Sequence, residues 1–198
     1  EISVENFKKE NGLNEKEIIA LLPGSREQEV EKMLSLMLSV RDSFKNYQFV
    51  IAGAPSLHKE FYQKFVDDDV HFVSNKTYDL LRCSRAALVT SGTATLETAL
   101  LNVPEIVCYR TSKISYEIGK RVVKNIKFIS LVNLIMDQEM VKELIQNQLN
   151  TENLVDELQK ILEGPKRDKM LQDYELLREK LGGKGASNHA AEIIVNRR

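Results

Sequence analysis

Short apolar runs alternate with segments of helical periodicity along the first part of the chain. The runs are rich in Val, Ile, Leu and Phe and are too short for typical helices, which is the pattern of strands covered on both faces. They predict strands at residues 18–22, 49–52, 71–73, 86–89 and 106–109, with a further candidate at 128–130. This alternation predicts an α/β fold with a Rossmann-like parallel sheet flanked by helices.

Helical spacing of apolar residues predicts two helices between these strands, one over Val30–Leu38 and one around Phe61. Beyond residue 131 the pattern predicts helices at residues 150–162, 168–181 and 187–195, with Thr151 and Ser187 as N-caps. Residues 1–17 are mostly polar and are expected to be a linker or an incoming segment without a core element. We therefore divide the chain into this linker, a Rossmann-like domain at 18–163 and C-terminal helices at 164–198.

The composition excludes several classes of protein. The 28 Lys and Arg residues nearly balance 29 Asp and Glu, whereas nucleic-acid binding normally shows as a strong basic bias. No apolar run approaches the roughly 20 residues that span a bilayer, and no signal peptide is visible. Cys83 and Cys108 are expected to be buried reduced thiols, as is usual in the cytoplasm, and the three scattered histidines show no metal-ligand spacing. Because the chain begins at Glu1 without Met, we expect it to be part of a longer protein.

The run from Ser91 to Glu97 follows a predicted strand and opens a helical pattern. A strand that leads through Ser91-Gly92-Thr93 into a helix presents free backbone N–H groups at the positive end of the helix dipole, an arrangement that binds phosphate. Glu97, one turn further on, is placed to accept hydrogen bonds from ribose hydroxyls. The alternative, in which Thr93 only caps a helix and Glu97 is solvated, stays open.

A second loop, Pro23-Gly24-Ser25-Arg26, follows the first predicted strand. Gly24 permits close backbone approach, Ser25 offers a hydroxyl, and Arg26 supplies a forked cation for phosphate. Because strand ends of an open α/β sheet converge on one crevice, we expect this loop, the Ser91 loop and the break at residues 53–55 to meet. The alternative is that Ser25 caps the next helix and Arg26 pairs with a nearby glutamate.

Three further segments carry candidate chemistry. Tyr109-Arg110, at a strand end, suits stacking on a base or contact with phosphate, although an exposed strand end is an equal alternative. Glu139, Glu143 and Gln146 fall three or four residues apart, which places them on one helical face, and with Asn133 they are candidates to point into a cleft. An ordinary amphipathic helix gives the same pattern. Residues 113–127 carry five basic residues against one acidic residue, which indicates a helix on an anionic membrane or, alternatively, a solvated face.

Taken together and in this order, residues 21–26, 90–97, 109–110, 130–135 and 141–146 resemble the lipid A disaccharide synthase family of bacterial inverting glycosyltransferases. The resemblance runs from about Ile18 to the C-terminus and covers only the C-terminal half of the family's two Rossmann-like domains, that is, one half of a GT-B glycosyltransferase. It departs from the family at Val132, where many members have Pro, and at Asp137-Gln138, where they often have Gly-Arg. The resemblance implies a nucleotide-sugar site made by Gly24, Ser25, Arg26, Ser91, Gly92, Thr93, Ala94, Thr95, Glu97, Tyr109, Arg110, Asn133, Glu143 and Gln146.

The resemblance further implies transfer of 2,3-diacylglucosamine from UDP to lipid X, with a β-1,6-linked disaccharide 1-phosphate and UDP as products. It implies no cofactor and no metal, and it places the general base in the N-terminal half, so that this chain alone binds UDP with little or no turnover. The implied location is the cytoplasmic face of the bacterial inner membrane, and contact with that membrane and a homodimer are left open. Two alternatives also stay open, another UDP-N-acetylglucosamine-type glycosyltransferase or epimerase and a non-catalytic nucleotide-binding or assembly module.

Overall fold

A computed structural model of the protein describes residues 2–67, 70–90, 92–111 and 127–182. Its six strands form one sheet in the order β3-β2-β1-β4-β5-β6, and every neighbouring pair is parallel. The strands are β1 (Glu17–Leu22), β2 (Tyr47–Gly53), β3 (Val70–Ser74), β4 (Ser84–Thr90), β5 (Glu105–Tyr109) and β6 (Lys142–Ile145).

Eight α-helices accompany the sheet in the described ranges. They are α1 (Val4–Glu10), α2 (Glu27–Leu38), α3 (Lys59–Gln63), α4 (Thr77–Arg82), α5 (Thr93–Leu100), α6 (Leu131–Met136), α7 (Thr151–Leu162) and α8 (Pro165–Lys180). The order of the strands reverses at β1, whose neighbours β2 and β4 lie on opposite sides of it. Such a reversal opens a crevice at the carboxyl ends of the two central strands, which is where doubly wound sheets bind ligands.

Alternate residues of β1 explain why its sequence reads as an uninterrupted apolar run. Ile19 and Leu21 belong to a core layer with α2, α7 and α8, whereas Ile18, Ala20 and Leu22 belong to a second layer with α1 and α4. Both faces of the sheet are therefore covered, as predicted from the composition of the strands. Cys83 and Cys108 are buried free thiols, as expected, and burial raises the pKa of both.

The five strands predicted at residues 18–22 to 106–109 are confirmed, each extended by one or more residues at its ends. The sixth, at 128–130, is wrong, because Ser130 is the N-cap of α6 and its hydroxyl accepts a hydrogen bond from the Asn133 N–H. The helical face predicted for residues 139–146 is also wrong, because residues 142–145 form β6, paired with β5. Likewise, Asn150 rather than Thr151 caps α7.

The segment before the sheet contains a core element, contrary to the prediction of a linker at residues 1–17. Helix α1 is capped by the Ser3 hydroxyl, and its Phe7 side chain is fully buried in the second core layer. The side chain of Gln48 fastens the following turn, because it donates to the carbonyl oxygens of Asn14 and Lys16 and accepts from the Asn14 N–H. These contacts make residues 2–17 part of the domain.

Candidate functional site

The loops after β1, β2 and β4 surround a cavity of about 280 Å³ at the crevice. Gly24 and Ser25 come from the first loop, and Gly92, Thr93 and Ala94 come from the last. Thr90, the final residue of β4, also lines the cavity, and its buried hydroxyl has no hydrogen-bond partner within the described part of the chain. The structure thus brings together residues that are far apart in sequence and that were expected to meet.

Helix α5 starts at the cavity, with Gly92 as its N-cap. Gly92 has φ 154° and ψ −163°, a backbone conformation that is essentially restricted to glycine. The first N–H groups of an α-helix have no partners inside the helix, so this end offers donors and a positive dipole to an anion. Thr95 does not face the cavity, contrary to the prediction, because its side chain is fully buried and its hydroxyl donates to the Gly92 carbonyl oxygen at 2.9 Å.

The loop after β1 is tied to the loop after β2, which is in turn tied to the core. Ser56 Oγ, from the loop after β2, donates to the Ser25 carbonyl oxygen at 2.9 Å. The neighbouring Ala54 N–H donates to the hydroxyl oxygen of buried Tyr62 at 3.0 Å, and burial raises the pKa of that tyrosine despite this hydrogen bond. The loops that shape the cavity are therefore fixed to each other and to the core.

Gly24 has φ 110°, which favours glycine, and a β-carbon at this position would lie 2.6 Å from Glu29 Oε2. The group that lies closest to the Gly24 backbone is thus the Glu29 side chain. Neither alternative proposed for this loop is observed, because the N-cap of α2 is Arg26 without a side-chain capping bond. Within the described ranges Arg26 also forms no ion pair with a glutamate.

A second cavity, of about 520 Å³, adjoins the same loop and is lined by Arg26, Tyr109, Arg110 and Glu29. Arg110 Nη2 donates to the carbonyl oxygen of Gln146 at 3.3 Å, which ties the end of β5 to the end of β6. Gln146 holds its backbone at φ 53°, and its buried side-chain nitrogen has no partner among the described residues. Two predicted cations and Tyr109 therefore share one wall of the crevice, and Gln146 supports it.

Glu97 lies in a third cavity, of about 440 Å³, beside the loop that follows β3. Thr77 lines both this cavity and the one at Gly24 and Gly92, so the two are neighbours. Glu97 therefore lies beside a space that adjoins the start of α5.

The predicted exposure of Asn133 and Glu143 to a cleft is not observed, because both side chains are buried and committed to internal hydrogen bonds. Glu143 accepts hydrogen bonds from the backbone N–H groups of Ile129 and Ser130, each at 2.9 Å, and from the Ser130 hydroxyl at 2.7 Å. Asn133 Nδ2 also donates to Glu143, at 2.9 Å. The carboxylate therefore holds the start of α6, and the polar atoms of these two side chains are used within the fold instead of pointing into a cleft.

Three predicted features fall wholly or mostly outside the described residues. Ser91 is one of them, and the basic segment at 113–127 is described only at Lys127. The predicted helix at residues 187–195, with its N-cap Ser187, also lies outside. In the parts that are described, no three His, Cys, Asp or Glu side chains are grouped so as to hold a metal ion.

Sequence reasoning missed Glu29, Thr77 and Thr90 as residues of the crevice. Thr90 directly precedes the glycine loop at a strand end, and this position was a usable signal. Glu29 is at the third position of α2, and its side chain lies in the space that a β-carbon at residue 24 would take. That space arises only in the folded loop, and no pattern in the sequence indicates it.

Residues 3–196 match the family model described as lipid-A-disaccharide synthetase. The chain belongs to this family. It is 40% identical over 186 residues to the lipid-A-disaccharide synthase of Syntrophus aciditrophicus, covering 89% of this chain and 48% of the relative. With the enzyme of Persephonella marina it shares 34% identity over 203 residues, covering 96% and 53%. The chain thus spans about half the length of the curated relatives that it matches.

Solved structures show the same fold at low sequence identity. The glycotransferase of kitacinnamycin matches 91% of this chain and 43% of its own, with a TM-score of 0.63 and 10% identity. The calicheamicin glycosyltransferase CalG4 matches 92% and 44%, with a TM-score of 0.58 and 12% identity. The predicted α/β architecture, a Rossmann-like parallel sheet flanked by helices, is therefore confirmed. Among the described helices, none combines the length and the apolar character that crossing a membrane requires.

Proposed function

We propose that this chain is the donor-binding half of a glycosyltransferase that makes the lipid A disaccharide. The proposed reaction transfers 2,3-diacylglucosamine from UDP to lipid X, with inversion, and releases UDP and the β-1,6-linked disaccharide 1-phosphate. The observation that carries this proposal is the convergence of the Gly24 and Gly92 loops on one cavity, in a chain that belongs to the lipid-A-disaccharide synthetase family.

The cavity supplies what the departing UDP requires. As the bond from the sugar to the diphosphate breaks, negative charge grows on the phosphate oxygens. The N–H groups at the start of α5 are held in place by the helix before the reaction and can stabilise this charge without rearrangement, and the exposed Arg26 guanidinium in the adjoining cavity adds a positive charge. Glu97, in the neighbouring cavity, is proposed to accept hydrogen bonds from the ribose hydroxyls.

The rest of the enzyme is also part of the proposal. We place the general base that deprotonates the acceptor hydroxyl in the other half of the protein, since the chain spans about half of its relatives. The proposed location is the cytoplasmic face of the inner membrane, where both acylated substrates are presented by the lipid surface. This chain alone is then expected to bind UDP and to turn over little or no substrate.

Titration calorimetry of UDP with the Arg26→Ala variant tests the site. Loss of a charge-assisted hydrogen bond is expected to weaken UDP binding by about 1–3 kcal/mol. Lys45→Ala, which removes an exposed cation that lines neither of the cavities at Gly24 and Arg26, is the matched control. An unchanged affinity of Arg26→Ala would remove Arg26 from the site, and no UDP binding by the unaltered chain would refute the donor-binding role.

The reaction itself is tested on a protein that contains both halves. Incubation with UDP-2,3-diacylglucosamine and lipid X is expected to release UDP and to form the disaccharide. Turnover of UDP-N-acetylglucosamine without lipid X would favour an epimerase instead. UDP binding without any turnover would favour a non-catalytic module.

A further inference from the structure

Glu29 is a partly buried carboxylate at the junction of two cavities. It lines the 280 Å³ cavity together with Gly24 and Gly92, and it lines the 520 Å³ cavity together with Arg26 and Arg110. Its carboxylate lies directly on Gly24, so close that any β-carbon there would collide with it. Within the described part of the chain this carboxylate forms no hydrogen bond and no ion pair.

The chemistry of this position restricts what can lie beside it. An ionised carboxylate only accepts hydrogen bonds, and phosphate oxygens also accept, so a diphosphate alone at Gly24 would face a like charge. Hydroxyl groups donate hydrogen bonds and are suitable partners. In a nucleotide sugar, the group that follows the diphosphate is a ring that carries hydroxyls.

We propose that Glu29 is a specificity-determining residue that accepts hydrogen bonds from the hydroxyl groups of the donor sugar. This inference rests on the proposed function and deepens it. In a glucosamine that is attached to UDP at C1 and acylated at positions 2 and 3, the free hydroxyls are those at C4 and C6. Glu29 therefore selects a hexosyl donor with one of these hydroxyls free.

After transfer, the sugar leaves with the acceptor, and its hydroxyls no longer donate hydrogen bonds to Glu29. The carboxylate then faces the remaining UDP without a donor partner, which weakens the hold on the product. Glu29 thus favours the donor over UDP, whereas the amides of α5 and Arg26 bind the part that donor and product share.

Calorimetry of Glu29→Gln with two ligands tests the proposal. The substitution keeps the size of the side chain and removes its charge. We expect affinity for UDP-2,3-diacylglucosamine, measured in detergent, to fall about 10-fold or more, as for the loss of a hydrogen bond to a charged group. Affinity for UDP in the same detergent is expected to be unchanged or to increase a few-fold, because a like charge beside the diphosphate is removed.

Glu60→Gln is the matched control, because Glu60 is exposed on the first turn of α3 and lines neither cavity. It should leave both affinities unchanged. An equal change in both affinities of Glu29→Gln, no change in either, or the same result in Glu60→Gln would overturn the role of Glu29. Failure of the unaltered chain to bind UDP would instead refute the proposed function, so the two failures are distinguishable.

Discussion

The hydrogen bonds of Asn133 give the sharpest test of what holds α6 against the segment at residues 140–143. Asn133 Oδ1 accepts from the N–H groups of Met140 and Val141 at 2.8 and 3.0 Å. Asn133 Nδ2 donates to the Val141 carbonyl oxygen at 2.8 Å and to the Glu143 carboxylate at 2.9 Å. The side chain is fully buried, so no water is available to replace a lost partner. All four bonds require an amide at this position.

Replacing Asn133 by Asp keeps the shape and exchanges the donating nitrogen for an oxygen. Two hydrogen bonds become contacts between acceptors, one of them between two carboxyl groups. A hydrogen bond to a charged group contributes about 1.5–3 kcal/mol and a neutral one about 0.5–1.5 kcal/mol. The expected loss in the free energy of unfolding at pH 8 is therefore about 2–5 kcal/mol.

Urea denaturation of Asn133→Asp and of the unaltered chain measures this loss. Asn150→Asp is the matched control, because Asn150 caps α7 through its side-chain oxygen, and Asp is an equally good N-cap. It also loses a donor, from Nδ2 to the Asn147 carbonyl oxygen, but at an exposed position where water can replace the partner. A loss below about 1 kcal/mol at pH 8, or one equal to that of Asn150→Asp, would refute the reasoning.

Two further predictions concern the buried carboxyl of Glu105 and the contact between Gly24 and Glu29. Burial raises the pKa of the Glu105 carboxyl well above its ordinary range, and neither carboxyl oxygen has a hydrogen-bond partner in the described ranges. The folded chain therefore keeps a proton on Glu105 that the unfolded chain releases above about pH 4.3. The free energy of unfolding should therefore fall as pH rises above about 5, by up to about 1.4 kcal/mol per pH unit from this group, and urea denaturation of Glu105→Gln should lack this slope. Gly24→Ala, at φ 110° and against Glu29, should lower the free energy of unfolding by about 1–3 kcal/mol in the same assay. The double variant Gly24→Ala with Glu29→Ala should recover only the part of this loss that comes from the contact between the two side chains.

The central strands were predictable because both faces of the sheet are covered. Burial on both sides leaves the sequence no polar alternation, and the resulting runs of Val, Ile and Leu are recognisable without any tertiary information. The loops at Gly24 and Gly92 were predictable for a related reason. Each follows such a run, and the parallel topology brings the carboxyl ends of neighbouring strands to one edge.

Strand β6 was not predictable by the same rule. Its four residues include Lys142 and Glu143, so the apolar run is broken, and the spacing of Glu139, Glu143 and Gln146 also fits a helix. The carboxylate of Glu143 is buried because its donors come from residues 129–133, at the start of α6 and just before it. Periodicity compares residues close together in sequence, so it cannot show that a charged side chain finds its partners in another segment.

The charges around the crevice explain why a binding site should contain a carboxylate at all. Arg26, Arg110 and the start of α5 all attract anions, and a site made only of such groups would bind UDP at least as well as the donor. An enzyme limited in that way would be inhibited by its own product. In the role proposed for it, Glu29 offsets part of this attraction at the junction of the two cavities, and the sugar hydroxyls remove the offset only while the donor is intact. The unfavourable placement of one carboxylate against Gly24 is then what distinguishes substrate from product.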